Sequence, residues 1–118
     1  MSEYSTQGTL CVADIWLEKM PDWQTLNGHC ETALKKSNMN VLNGLVHQFE
    51  PQGTTAVWIL AESHMALHTY PEQNFLAVDV FTCGDEGDPA AAVEALIQLL
   101  PTKASNQYNQ PRGKKPIN

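Results

Sequence analysis

The sequence predicts an α+β fold, a two-layer sandwich in which an antiparallel β-sheet carries two helices on one face. Three observations point there. Five stretches have the alternation or continuous apolar character of strands, with a possible sixth near the end. Two stretches place apolar residues at spacings of three and four, one early and one late. The resulting order, β-α-β-β-β-β-α, suits an antiparallel sheet with both helices packed against a single side. With 118 residues and no linker-like segment, residues 1–118 are expected to form one domain.

The first strand is expected over Gly8 to Leu17, with Leu10, Val12 and Trp16 as apolar points and Asp14 intruding. From Pro21-Asp22 the pattern becomes helical. Trp23, Leu26, Cys30, Ala33 and Leu34 form its stripe, Asp22 is the N-cap, and Lys35-Lys36 suit the negative end of the helix dipole. Asn38 and Asn40 supply a turn. A second strand runs from Val41 to Glu50, the turn Pro51-Gln52-Gly53 follows, and the third strand spans Thr54 to Ala61. Because the third is apolar on both faces, it is expected to be central in the sheet.

The fourth strand, His64 to Tyr70, alternates His64, Ala66, His68 and Tyr70 on one side with Met65, Leu67 and Thr69 on the other. Phe75 to Cys83 is the fifth, with Phe75, Ala77, Asp79, Phe81 and Cys83 on one face and Leu76, Val78, Val80 and Thr82 on the opposite one. The loop Gly84-Asp85-Glu86-Gly87-Asp88 leads to Pro89 at the first position of a helix reaching Leu100, whose stripe is Val93, Leu96, Ile97 and Leu100. Pro101 ends it. Thr102 to Asn109 is expected as a short edge strand before a loosely ordered basic tail.

Composition excludes several classes. Hydrophobic residues at 42% and charged ones at 17% describe an ordered globular chain, and no apolar run approaches membrane-spanning length. A formal charge of −6 argues against nucleic acid as partner, since such binding rests on neutralising phosphates. The start, Met1-Ser2-Glu3-Tyr4, lacks a basic and apolar leader, so a cytoplasmic location is expected. Cys11, Cys30 and Cys83 are odd in number and widely spaced, which suggests neither a disulfide framework nor a metal site.

The most informative stretch is Leu60-Ala61-Glu62-Ser63-His64-Met65-Ala66-Leu67-His68. An apolar strand feeds directly into an acid, a hydroxyl and an imidazole, with a second imidazole five residues after the serine. A serine held tightly after a peptide carbonyl can attack its own backbone, so self-cleavage is a candidate activity; the same pattern also occurs as an ordinary polar turn between strands.

Four motifs in order, Phe49-Glu50-Pro51-Gln52-Gly53, Ala61-Glu62-Ser63-His64, Leu67-His68-Thr69-Tyr70-Pro71-Glu72 and Ala77-Val78-Asp79-Val80-Phe81-Thr82-Cys83-Gly84, resemble the short prokaryotic S-adenosylmethionine decarboxylase proenzymes. The likeness is dense from about His47 to Gly84. The resemblance implies cleavage between Glu62 and Ser63 into a β chain of residues 1–62 and an α chain of residues 63–118, with a pyruvoyl group made from Ser63. It further implies His68 as the processing base, Thr55 as the hydroxyl that supports the oxyanion, and Cys83 as the proton donor of turnover. An ordinary thiol is still largely protonated at neutral pH and can serve so. Phe49 and Tyr70 would flank adenine and Glu72 would hold the ribose.

A pyruvoyl carbonyl condenses with the substrate amine and acts as the electron sink when the carboxylate leaves, so no external cofactor and no metal are expected. The resemblance also implies a homodimer, a four-layer αββα arrangement of cleaved protomers. Tyr70 stands where a tryptophan is usual, Thr55 where serine is common, and Gln73-Asn74-Phe75 where Tyr-Gly-Tyr is common. The resulting expectation is an autoprocessing carboxy-lyase that converts S-adenosylmethionine into the aminopropyl donor of spermidine synthesis. Two alternatives stand beside it: a pyruvoyl-dependent ornithine or arginine decarboxylase, and an unprocessed, non-catalytic homologue.

Overall fold

A computed structural model, which describes residues 7–83 and 88–117, contains six strands and two α-helices. They are β1 (Gly8–Leu17), α1 (Trp23–Lys36), β2 (Val41–Gln48), β3 (Thr54–Leu60), β4 (Ser63–Tyr70), β5 (Phe75–Cys83), α2 (Pro89–Leu99) and β6 (Thr102–Arg112). A single 3₁₀ turn, Pro71–Gln73, separates β4 from β5. The sheet is ordered β2-β3-β4-β5-β1-β6, and every neighbouring pair is antiparallel. This is the expected α+β class.

Strand alternation sorts the sheet into two unlike faces. Cys11, Ala13, Ile15 and Leu17 of β1, Ala56, Trp58 and Leu60 of β3, Met65 and Leu67 of β4, and Leu76, Val78 and Val80 of β5 are all buried. They form one core with Leu26, Cys30, Ala33 and Leu34 of α1 and Ala92, Val93 and Leu96 of α2. Both helices therefore lie on the same side. Residues of the other phase are left uncovered by the described residues: Ile59 is 51% exposed, and Leu10, Val12, Trp16 and Val57 are only partly buried.

Local chemistry sets the helix ends as expected. The Asp22 side chain accepts a hydrogen bond from the Thr25 N–H at 2.8 Å, and that bond holds its carboxyl below the usual aspartate value. Asp88 caps α2 through the Ala91 N–H at 3.2 Å, with Pro89 at the first turn, where no N–H is needed. The expected loop over residues 84–87 lies outside the described residues.

Two expectations need correction. The third strand is interior but stands one place in from the edge, and the middle pair is β4–β5. Its apolar outer phase, Val57 and Ile59, lies on the sheet face that neither helix covers. Every residue of β2, at the edge of the sheet, is exposed. Finally, the last strand does not stop at Asn109: it runs eleven residues to Arg112 and pairs with β1 along its whole length. Its polar sequence has little strand propensity of its own, but the free N–H and C=O groups along β1 need partners.

Candidate active site

The two-residue loop Ala61-Glu62 joins β3 to β4, with Leu60 paired to Ser63 across it. Glu62 adopts the left-handed conformation, φ 58°. Among the described residues the other non-glycine positions of this kind are Asn38 and Asn74, the residue type that tolerates it best; a glutamate there is strained. Ser63 begins β4, is half-buried, and donates its hydroxyl to the Ala61 carbonyl at 3.2 Å. It lines a cleft of about 210 Å³ with Asn38, Met39, Asn40 and Glu62.

Ser63 lies opposite Thr82 in the β4–β5 register, so Cys83 is one step away on the adjacent strand. Cys83 is half-buried and belongs to the bare face, whereas Ser63 has the phase of the covered one. Gly8 sits opposite Cys83; a methyl group there would strike the Thr82 carbonyl and the Phe81 ring. Glycine thus lets β1 lie close beside the end of β5. Cys11 and Cys30 are sealed in the core, and burial raises both thiols, that of Cys30 to about 12. His64 stacks on Phe81 at 5.9 Å on the bare face, beside a cleft of about 450 Å³ that also involves Asp79 and Arg112.

The remaining expected residues gather at the opposite end of the strands. Thr55 and His68 are register partners on β3 and β4, and Thr55 Oγ1 lies 3.0 Å from His68 Nδ1. A His68 that accepts a proton through Nε2 must carry its own on Nδ1, which makes Thr55 the acceptor in this bond. Phe49, Tyr70 and Glu72 share with them a cleft of about 250 Å³. Phe49 meets His47 edge-on at 4.5 Å and Tyr70 packs against Phe75 at 5.5 Å. The Glu72 turn is closed by left-handed Asn74, whose N–H reaches the Pro71 carbonyl and whose side chain accepts from the Met20 N–H.

Two supporting contacts had no signal in residue type or spacing: Gln52, which reaches Glu72, and the aromatic backing of the cleft by His47 and Phe75. Both depend on which turns meet in space. A larger cleft, about 910 Å³, opens on the helix side between Trp23, His29 and Pro71. It shares only the wall residues Thr54 and Thr69 with the smaller one and contains none of the nominated side chains.

The geometry thus divides the nominated residues into two groups. His68 is five residues along the strand from Ser63, a span of ~16 Å at about 3.3 Å per residue.

Comparison with known proteins supplies the context for these groups. Residues 10–113 match the family model described as S-adenosylmethionine decarboxylase. The chain is 40% identical over 101 residues to the S-adenosylmethionine decarboxylase proenzyme 2 of Bacillus cereus, covering 83% of this chain and 82% of that one. It is 42% identical over 99 residues to the proenzyme of Prochlorococcus marinus, covering 81% and 79%. The crystal structure of the adenosylmethionine decarboxylase from Aquifex aeolicus superposes with a TM-score of 0.83 at 29% identity, covering 97% of each chain. With the family model spanning nearly the whole sheet and both helices, the chain belongs to the S-adenosylmethionine decarboxylase family.

Proposed function

We propose that the chain is a proenzyme that cuts itself between Glu62 and Ser63 and then decarboxylates S-adenosylmethionine, giving the aminopropyl donor for spermidine synthesis. The observation that carries this reading is the strained Glu62-Ser63 junction in a chain of this family, with the Thr55–His68 pair ready-made on the same sheet.

The residues fit a pyruvoyl group. The Ser63 hydroxyl is folded back toward the preceding carbonyls, reaching that of Ala61, which is the side from which it must approach the Glu62 carbonyl carbon. Attack forms an ester as the Glu62–Ser63 C–N bond breaks, and the hydroxyl proton passes to the released nitrogen. Removal of the Ser63 α-proton then expels the Glu62 carboxylate, and water displaces the nitrogen as ammonia. Thr55 supports the oxyanion of the first step, and His68 Nε2 takes the α-proton in the second. The pyruvoyl group so made supplies an electrophilic carbonyl that accepts the electron pair left as carbon dioxide departs. Cys83 returns a proton to the substrate carbon, Phe49 and Tyr70 flank the adenine, and the Glu72 carboxylate accepts the ribose hydroxyls.

A site using all of these residues takes one group from each of two chains. Ser63 and Cys83 lie at one end of β4–β5, and Thr55, His68, Phe49, Tyr70 and Glu72 at the other. Two-fold pairing of the bare sheet faces sets the first end of each protomer beside the second end of its partner, gives the four-layer αββα arrangement, and covers Val57 and Ile59.

Denaturing electrophoresis of purified protein tests the first step. Two fragments, residues 1–62 and 63–118, are expected, and Ser63→Ala should fold and remain a single chain. An uncut wild-type chain, or a cut Ser63→Ala chain, rejects the proposal. Carbon dioxide release from S-adenosylmethionine, ornithine and arginine, assayed side by side, tests the second; a preference for either amino acid would overturn the roles of Phe49, Tyr70 and Glu72.

A further inference from the structure

We infer that Gln52 is a positioning residue of the nucleoside cleft: its amide holds Glu72 in the orientation in which the carboxylate meets the two ribose hydroxyls. The inference rests on the reading of Glu72 given above. Gln52 belongs to the β2–β3 turn and Glu72 to the 3₁₀ turn after β4, yet Gln52 Nε2 donates to Glu72 Oε2 at 2.9 Å. Both line the cleft with Phe49 and Tyr70.

Each partner stands on a fixed base. The Gln52 turn is closed by the Phe49 N–H donating to the Gly53 carbonyl at 2.7 Å, with Gly53 at φ 102°. The adjoining start of β3 is tied to β4 by the Thr54 N–H donating to Thr69 Oγ1 at 2.9 Å. The Glu72 turn is held by Asn74. A glutamate on an exposed turn would otherwise sample many rotamers, and ordering it would count against binding; the amide orders it in advance.

The donor's chemistry matters as well. A lysine in this place would neutralise the carboxylate, whereas a neutral amide engages Oε2 alone and leaves the charge in place. Oε1 and the second lone pair of Oε2 remain to accept one hydroxyl each from a vicinal diol. A ligand without the diol gains nothing from this arrangement, so the Gln52–Glu72 pair contributes to selection for a ribonucleoside.

Processed wild-type enzyme is to be compared with Gln52→Leu, Gln52→Glu and Glu72→Gln. The measurements are KM and kcat for S-adenosylmethionine from pH 6 to 8, and equilibrium binding of 5′-methylthioadenosine and its 2′-deoxy analogue. For Gln52→Leu we expect KM to rise about five- to tenfold with kcat within about twofold, and the preference for the ribo over the deoxy nucleoside to shrink. Gln52→Glu should be worse than Gln52→Leu at pH 8. Relative to wild type at each pH it should recover toward pH 6, as a proton shared between the facing carboxylates replaces the lost donor. A purely structural role in the turn predicts neither the pH-dependent recovery nor the change in ribo/deoxy preference. If Glu72→Gln weakens nucleoside binding while both Gln52 variants bind as wild type, the positioning role is wrong and the cleft assignment stands. Unchanged binding in Glu72→Gln overturns both.

Discussion

At the scale of single residues, the backbone at Glu62 is the most informative feature. An L-residue other than Asn or Gly in the left-handed region costs roughly 1–2 kcal/mol, and here the cost falls on the peptide proposed to break. Strain present in the uncut chain and released as the bond opens lowers the barrier to opening. Glu62→Gly removes the strain, so on a Ser63→Ala background it should raise the melting temperature by a few degrees. With Ser63 intact it should slow self-cleavage, by up to about tenfold for each ~1.4 kcal/mol relieved. Glu62→Gln keeps the conformation and removes the charge, and should cleave like wild type. A slow Glu62→Gln with a fast Glu62→Gly would assign the effect to the carboxylate instead. Residue types and motif order singled out Glu62, Ser63, His68 and Cys83, but the left-handed φ could not be read there, because nothing about a glutamate announces it. The Thr55–His68 bond was likewise invisible until β3 and β4 were in register.

At the scale of elements, the helix caps were legible because a cap is local: Asp22 and Asp88 each bond an N–H three residues on. The Asp22 cap also makes a pH prediction. Its carboxyl is held below the ordinary value, chiefly by the Thr25 N–H. Its contribution is therefore complete above the unfolded aspartate value near ~4 and is lost as the pH falls through the lower folded value. Thermal melts of wild type and Asp22→Asn between pH 2 and pH 6 should diverge least at the acid end, because asparagine retains a neutral acceptor throughout. A constant offset across that range would remove the charged cap from the account. The edge strands were the elements read least well. β2 is exposed along its entire length, and β6 outruns its apparent propensity because β1 offers it a hydrogen-bonding partner along its whole length.

At the scale of the whole molecule, the separation of Ser63 from His68 leads to a complementation experiment. Ser63→Ala and His68→Ala chains should each remain uncut alone. Co-expressed, a mixed dimer has one interface pairing the intact Ser63 of the second chain with the intact His68 of the first, so the His68→Ala chain, and never its partner, should be cleaved. Absence of cleavage in mixed dimers demonstrated by tag pull-down would place a complete site within one chain. The sequence by itself determined the sheet-and-two-helix architecture, since apolar period and turn chemistry are written residue by residue. Its motifs likewise identified the family and nominated the reacting side chains. Only the tertiary structure decided which of those side chains are neighbours, because strand register and order place residues five apart in sequence at opposite ends of a strand while bringing Thr55 to His68 and Gln52 to Glu72 across turns. It also revealed that the two apolar faces of β3 differ: one packs on the helices and the other is left uncovered by them, a distinction that rests on where distant segments lie and that no local pattern encodes.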